Sequence, residues 1–205
     1  DVYKRQSQTR AFEECFIKEG IPYKVVGGLK FYERAEIRDM LAYFRLVLQP
    51  SDDLAFERII NKPARGIGEK TIDKFRNRAK ADAIPLYQAM VSMTTEGAFS
   101  GKTKNALENF INLMTEWRRI MQAIPLGEFA ETIVDESGYM AMLEQDKSVE
   151  APGRIENIKE LISVMSDEEN YPNLAEFLEH VSLVIDNEYN DNANKVIVST
   201  LHAAK

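Results

Sequence analysis

Beyond Gly28 the apolar residues fall into a helical rhythm and keep it for most of the chain. Ile37, Met40, Leu41, Phe44, Val47 and Leu48 recur at three- and four-residue steps, which puts them on one stripe of a helix over about 33–48. Gln49-Pro50 breaks the pattern, and Ser51 or Asp52 stands where it can cap a next helix carrying Leu54, Ile59 and Ile60. The same period predicts helices at about 69–80, 85–94, 101–123, 127–137, 151–166 and 173–186, with Pro85, Gly97, Gly101, Pro125, Gly138, Pro152 and Pro172 as punctuation. Leu107, Phe110, Ile111, Met114, Trp117, Ile120 and Met121 recur at helical spacing over 101–123. A tryptophan can stack on a base, but Trp117 lies within this stripe and is assigned to the core.

The ends follow a different rule. Phe12, Cys15 and Phe16 mark one face of a short helix over 8–19, stopped at Gly20. Ile21–Val26 is rich in β-branched residues and closed by Gly27-Gly28, so it reads as a strand. After the polar stretch 187–194, strand character returns over Lys195–Leu201. Because an isolated strand is rarely stable, the two ends are expected to share one sheet with the helical middle inserted into it. The expected fold is mainly α, with short β-strands at both ends.

Composition narrows the class. The 205 residues are 44% hydrophobic and 29% charged, as in an ordinary soluble globular protein. No apolar run approaches the roughly 20 residues of a membrane span and no signal peptide is visible, so a cytoplasmic protein without a membrane partner is expected. The single cysteine, Cys15, cannot form an internal disulfide and suits a reducing compartment; among Phe12, Phe16 and Ile17 it reads as a small buried hydrophobe. His180 and His202 stand far apart, so no metal site is expected. The net charge of −7 argues against a general nucleic-acid binder, yet it is unevenly spread. Residues 160–194 carry nine acids and no Lys or Arg, whereas seven basic residues fall between Lys62 and Lys80.

That basic run includes Asn61-Lys-Pro-Ala-Arg-Gly-Ile-Gly-Glu-Lys-Thr71. Gly66 and Gly68 allow a tight turn and a close approach to the backbone. The helix that follows offers unpaired N–H groups and the positive end of its dipole, which suits a phosphate. A nucleic-acid backbone is one natural partner; a helix–helix connector with a solvated basic face is the other reading. Gly97-Ala-Phe-Ser-Gly-Lys-Thr103 resembles a nucleotide phosphate loop but has three residues between its glycines and no strand before it. It reads as a turn capped by Ser100 or Thr103, and as a second glycine turn able to meet phosphates. Glu13-Glu14, Asp52-Asp53 and Asp167-Glu168-Glu169 read as caps and solvated faces, and no nucleophile–base pair is visible. No catalytic residue is assigned.

Several stretches carry a resemblance to a known family. These are Gly27-Gly-Leu-Lys-Phe-Tyr-Glu-Arg-Ala-Glu-Ile-Arg-Asp39, Leu41–Leu46, Asp52–Asn61, Arg65-Gly-Ile-Gly68, Asp135–Tyr139, Arg154-Ile-Glu-Asn157 and Thr200-Leu-His-Ala-Ala-Lys205. In that order and over nearly the whole chain, they resemble the UvrD/PcrA/Rep group of superfamily 1 DNA helicases.

The resemblance implies a motor with two RecA-like domains that uses ATP and Mg2+ to move 3′ to 5′ along single-stranded DNA. It implies that 1–27 and 192–205 belong to the second RecA-like domain, 2A, and that 28–191 is the helical 2B subdomain inserted in it. It places Arg10, Lys30, Thr200 and His202 near single-stranded DNA. It places Arg65, Gly66, Ile67 and Gly68, with Lys70 and Thr71, in a loop that holds duplex backbone. Arg5 departs from the family's spacing. The Walker A and B segments and the arginine motifs do not occur in these residues, so the chain is expected to be a fragment that binds no cofactor and hydrolyses no ATP by itself. DNA without base preference is the expected partner, together with repair or replication proteins. The alternative is a regulatory module whose acidic helices over 160–190 dock a partner or hold the motor closed.

Overall fold

The computed structural model describes residues 15–16, 19, 21, 23–26, 31–189 and 196–199, with backbone alone for 23–26, 186–189 and 197–199. In chain order the elements are strand β1 (Tyr23–Val26), a 3-10 turn (Phe31–Glu33), and helices α1 (Ala35–Leu48), α2 (Asp53–Ile59), α3 (Glu69–Asp82) and α4 (Leu86–Thr95). They continue with α5 (Gly101–Ile120), α6 (Leu126–Glu136), α7 (Tyr139–Gln145), α8 (Ala151–Met165), α9 (Leu174–Tyr189) and strand β2 (Val196–Ser199). The fold is mainly α, as the periodicity predicts. β1 and β2 pair in parallel, Tyr23 opposite Val196 and Val26 opposite Ser199. A parallel pair needs a crossover, and here the whole helical body supplies it.

α1 is the axis of that body. Ten of its residues are buried, from Glu36 and Ile37 through the unbroken run Asp39–Phe44 to Leu46 and Val47. A helix apolar on more than one face must be surrounded, and α2, α5, α8 and α9 all pack on α1. Trp117, Tyr43, Phe44, Phe56, Phe75, Phe110 and Phe129 lie fully inside. The core role read for Trp117 is what the fold gives it: its indole N–H donates to Glu136 Oε2 at 2.7 Å, and its ring meets Tyr43 edge-on at 5.9 Å.

The acidic pair after α1 acts as two caps. Asp52 Oδ1 accepts the Ala55 N–H at the start of α2, and Asp53 Oδ1 accepts the Leu86 N–H at the start of α4. At the far end of α1, Arg118 donates to the Leu46 and Val47 carbonyls and lies 4.6 Å over the Tyr87 ring. These are orphan C-terminal carbonyls that any helix must satisfy. Gly127, in the first turn of α6, lies against Ser166 after α8; a Cβ there would stand 3.0 Å from the Ser166 Cα.

Three expectations need correction. The pattern does not predict α7, whose seven residues span less than two helical turns, too few to show a period. Ser100 sits at the N-cap of α5 but makes no side-chain cap; the turn is built instead by Gly97 and Gly101, both at positive φ. Cys15 is exposed rather than buried; of the two adjacent residues it is Phe16, the larger apolar side chain, that is half-buried.

Candidate nucleic-acid interface

The loop over 61–71 joins α2 to α3. Pro63 has no backbone N–H, so the segment leaves α2 without continuing its hydrogen bonding. Asn61 then organises what comes next: its Oδ1 accepts the N–H groups of Arg65 at 2.8 Å and Ile67 at 3.3 Å. Between those two donors the chain turns through Gly66 at φ 71°, a left-handed conformation that costs glycine nothing and other residues about 1 kcal/mol or more. Ile67 drops into the core with no exposed surface and pins the loop from beneath. Gly68 is the N-cap of α3 with extended backbone.

What remains on the outside is polypeptide backbone. Among the described residues the N–H groups of Gly66, Gly68, Glu69 and Lys70 have no acceptor, while those of Thr71 and Ile72 turn back to the Gly68 carbonyl. Neither glycine has another heavy atom within 4 Å of where a side chain would begin. Lys70 projects beside them, exposed, and Thr71 lies half-buried one residue on. The end of α3 therefore presents a shallow, open row of donors at the positive pole of its dipole, a geometry suited to a phosphate oxygen.

Two residues expected in contact with DNA face the other way. The Arg65 guanidinium turns inward to the carbonyls of Ile59, Ile60 and Pro63 and to the Tyr43 hydroxyl. The Ile67 side chain is buried and its N–H already engaged. The last carbonyls of α2 lack helical partners and a planar five-donor cation lies within reach of them, while Tyr43 and Ser137, distant in sequence, bring the remaining acceptors. Arg10, Lys30, Thr200 and His202 fall outside the described residues, so the structure brings together only the 65–71 group.

The positive charge of the region is also smaller than the sequence suggests. Arg76 is held by Glu57 and Glu69, both at 2.6 Å, and by Asp73 at 3.0 Å. These hydrogen bonds, the one donated to Glu57 foremost, raise its pKa further above the usual arginine value. Arg78 pairs with Asp82 and with Glu96. Lys62 meets Asp39 at 2.6 Å, and Lys74 stands 5.6 Å over the Phe99 ring. Lys70 is left without an ion pair among the described residues.

Behind the loop lies a buried polar node that sequence reasoning missed. Asp39, 1% exposed, accepts the Tyr139 hydroxyl on Oδ2 at 2.6 Å and forms ion pairs with Lys62 at Oδ2 and, 2.7 Å away but out of hydrogen-bonding alignment, with Arg58 at Oδ1. Burial, and then the bond to Asp39, push the Tyr139 phenol well above its ordinary value. Burial does the same to Tyr43, offset in part by Arg65. A carboxylate in the middle of an apolar helix stripe is the one signal that could have exposed this node.

Comparison with known proteins agrees with this architecture. The model of the UvrD-like helicase C-terminal domain matches residues 2–205. A DNA helicase II of Rickettsia typhi is 41% identical over 201 residues, covering 97% of this chain and 30% of that protein. An ATP-dependent DNA helicase PcrA of Staphylococcus aureus is 37% identical over 209 residues, covering 100% of this chain and 28% of its own length. The chain thus spans less than a third of the curated relatives it matches. Among the described residues no helix is long and apolar enough to cross a membrane. With the family model covering almost all of its length, this chain belongs to the UvrD-like helicase C-terminal domain family.

Proposed function

We propose that this chain is the duplex-holding part of an ATP-dependent 3′–5′ DNA helicase that works in the cytoplasm in DNA repair or replication. In this reading 28–191 is the 2B subdomain, and 1–27 with 192–205 belong to the RecA-like 2A domain. The observation that carries it is the open row of backbone donors at Gly66, Gly68, Glu69 and Lys70. Those amides take phosphate oxygens of the duplex, with Lys70 and Thr71 beside them. Contacts of this kind fix position without reading bases. Arg10, Lys30, Thr200 and His202 meet the single strand. ATP and Mg2+ are bound by the whole protein, whose other domains supply the force, and the 205 residues by themselves hydrolyse no nucleotide.

The test is duplex binding by the full chain across a salt series. With Lys62, Arg76 and Arg78 neutralised by carboxylates and Arg65 turned inward, Lys70 and Lys74 are the remaining cations nearest the loop, and the log–log slope is expected to be about −2. A flat response, or no binding at low salt, overturns the reading.

A second reading has its own support. On α9 the exposed carboxylates Glu176 and Glu179 stand near Leu183, which is 55% exposed. An acidic surface with an apolar residue suits a basic partner protein that recruits or restrains the motor. Glu176→Lys with Glu179→Lys should then change partner capture and leave duplex binding intact.

A further inference from the structure

An arginine placed to meet phosphate keeps its terminal guanidinium nitrogens free. In Arg65, half-buried, both of them are taken up inside the protein. Nη1 donates to the carbonyls of Ile59 at 2.9 Å, Pro63 at 3.2 Å and Ile60 at 3.3 Å. Nη2 donates to the Tyr43 hydroxyl at 2.5 Å and to the Ser137 carbonyl at 3.4 Å. The flat face is occupied as well, with the guanidinium carbon 5.1 Å from the Phe110 ring centre and 5.9 Å from that of Tyr43. The Tyr43 hydroxyl passes the connection on by donating to the Lys62 carbonyl at 2.7 Å. One side chain thus ties the end of α2, the turn at Pro63, the centre of α1 and the turn before α7 to the backbone immediately preceding Gly66.

We propose that Arg65 is a positioning residue for duplex binding: it fixes the glycine loop from behind and makes no contact with phosphate itself. The inference rests on the duplex-holding reading and specifies how that site is kept in shape. Without the fork, the carbonyls of Ile60, Pro63 and Ser137 and the Tyr43 phenol oxygen lose the Arg65 donor, and Ile59 keeps only the Lys62 N–H. The 59–65 segment then relaxes, and the amides of Gly66 and Gly68 lose their common direction. A lysine cannot replace it, since an ammonium on a flexible stem lacks the planar set of donors that spans these acceptors.

The salt dependence of binding separates this role from direct contact, because each phosphate contact contributes about 0.9 to the log–log slope. The full chain and its variants are titrated with a short labelled duplex of mixed sequence over a salt series, below the melting temperature of every protein used. Arg65→Gln and Arg65→Lys are expected to weaken binding alike, by about tenfold, with the wild-type slope. Lys70→Gln is the control and should flatten the slope by about 0.9. Tyr43→Phe carries no charge change and keeps the core filled, so it serves even if the Arg65 variants fold poorly. It is expected to weaken binding about threefold at unchanged slope and unchanged helical content. Wild-type affinity in Arg65→Lys, a slope flattened by Arg65→Gln as by Lys70→Gln, or undiminished affinity in Tyr43→Phe would each overturn the proposal. A wild-type chain that does not bind duplex at all removes the duplex-holding reading first.

Discussion

Lys62, at the mouth of the glycine loop, reaches back to place its ammonium 2.6 Å from Asp39 Oδ2 in the middle of α1. The same carboxylate takes Arg58 and the Tyr139 hydroxyl, so a single side chain couples α1, α2, the loop and α7. Asp39→Ala should lower stability by about 2–3 kcal/mol, the cost of a buried hydroxyl left without its partner and of a broken ion cluster. The loss is moderated because Lys62 and Arg58 keep 44% and 30% of their side-chain surface exposed and can turn to water. The urea midpoint measures it, and a change under about 0.5 kcal/mol would contradict this account of the node.

The two loop glycines should separate on substitution. Gly66→Ala forces a Cβ into φ 71° and is expected to cost about 1 kcal/mol as well as duplex affinity. Gly68→Ala meets no neighbour and sits at φ −80°, so its stability should stay within about 0.5 kcal/mol of wild type. Its methyl group nonetheless stands among the open amides, and duplex affinity should fall several-fold. Thermal melts and duplex titrations on both variants check the split.

Ala83 closes α3 in the left-handed conformation at φ 52°, where an L residue with a Cβ is strained. Ala83→Gly should therefore raise stability by about 1 kcal/mol, the reverse of the usual sign for that change inside a helix. A lowered melting temperature would mean the helix ends differently.

Gly127 has the opposite constraint. Its φ is ordinary, but a Cβ there meets the Ser166 side chain and backbone. Gly127→Ala should destabilise by about 1–3 kcal/mol through overpacking. Pairing it with Ser166→Gly should recover part of that loss, since the hydroxyl and Cβ of Ser166 are among the nearest obstacles.

Alkali should act through Tyr43 and Tyr139, whose phenols are both held above the ordinary value of 10.0, chiefly by burial. Folded, they keep their protons where the unfolded chain releases them, so the unfolded state binds fewer protons above that value. Their contribution to stability is fully present below pH about 10 and is lost as pH rises beyond it, by up to about 1.4 kcal/mol per unit for each group. Urea midpoints followed through this range should fall more steeply for wild type than for Tyr139→Phe.

The helical body could be read from sequence because its signals are local and repeated. The stripe Ile37–Leu48 and the breaks at Pro50 and Pro85 fall where α1, α2 and α4 begin or end. Asp52 could be placed as a cap because an N-cap acts within three residues. Asp53 looked like its twin, yet it caps α4, thirty-three residues ahead, and no local rule reaches that far. The glycine loop was visible for its φ requirement and its position before a helix. The direction of Arg65 was not, because its acceptors come from residues as distant as Tyr43 and Ser137. Charge counting erred for the same reason: Glu57 and Glu96, which answer Arg76 and Arg78, lie outside the basic segment that they neutralise.

Those paired arginines bear on how quickly DNA would arrive. Long-range attraction depends on net charge surviving beyond a Debye length, about 8 Å at physiological ionic strength. A helix whose guanidiniums already face carboxylates projects little field that far. The overall charge of −7 repels a polyanion besides. Electrostatic steering is thus nearly absent, and the association rate should respond weakly to added salt. Retention, once the amides and Lys70 engage, carries most of the ionic dependence through the dissociation rate. On the duplex-holding proposal, such a surface draws in little nucleic acid from a distance and owes its affinity to slow release rather than to fast capture.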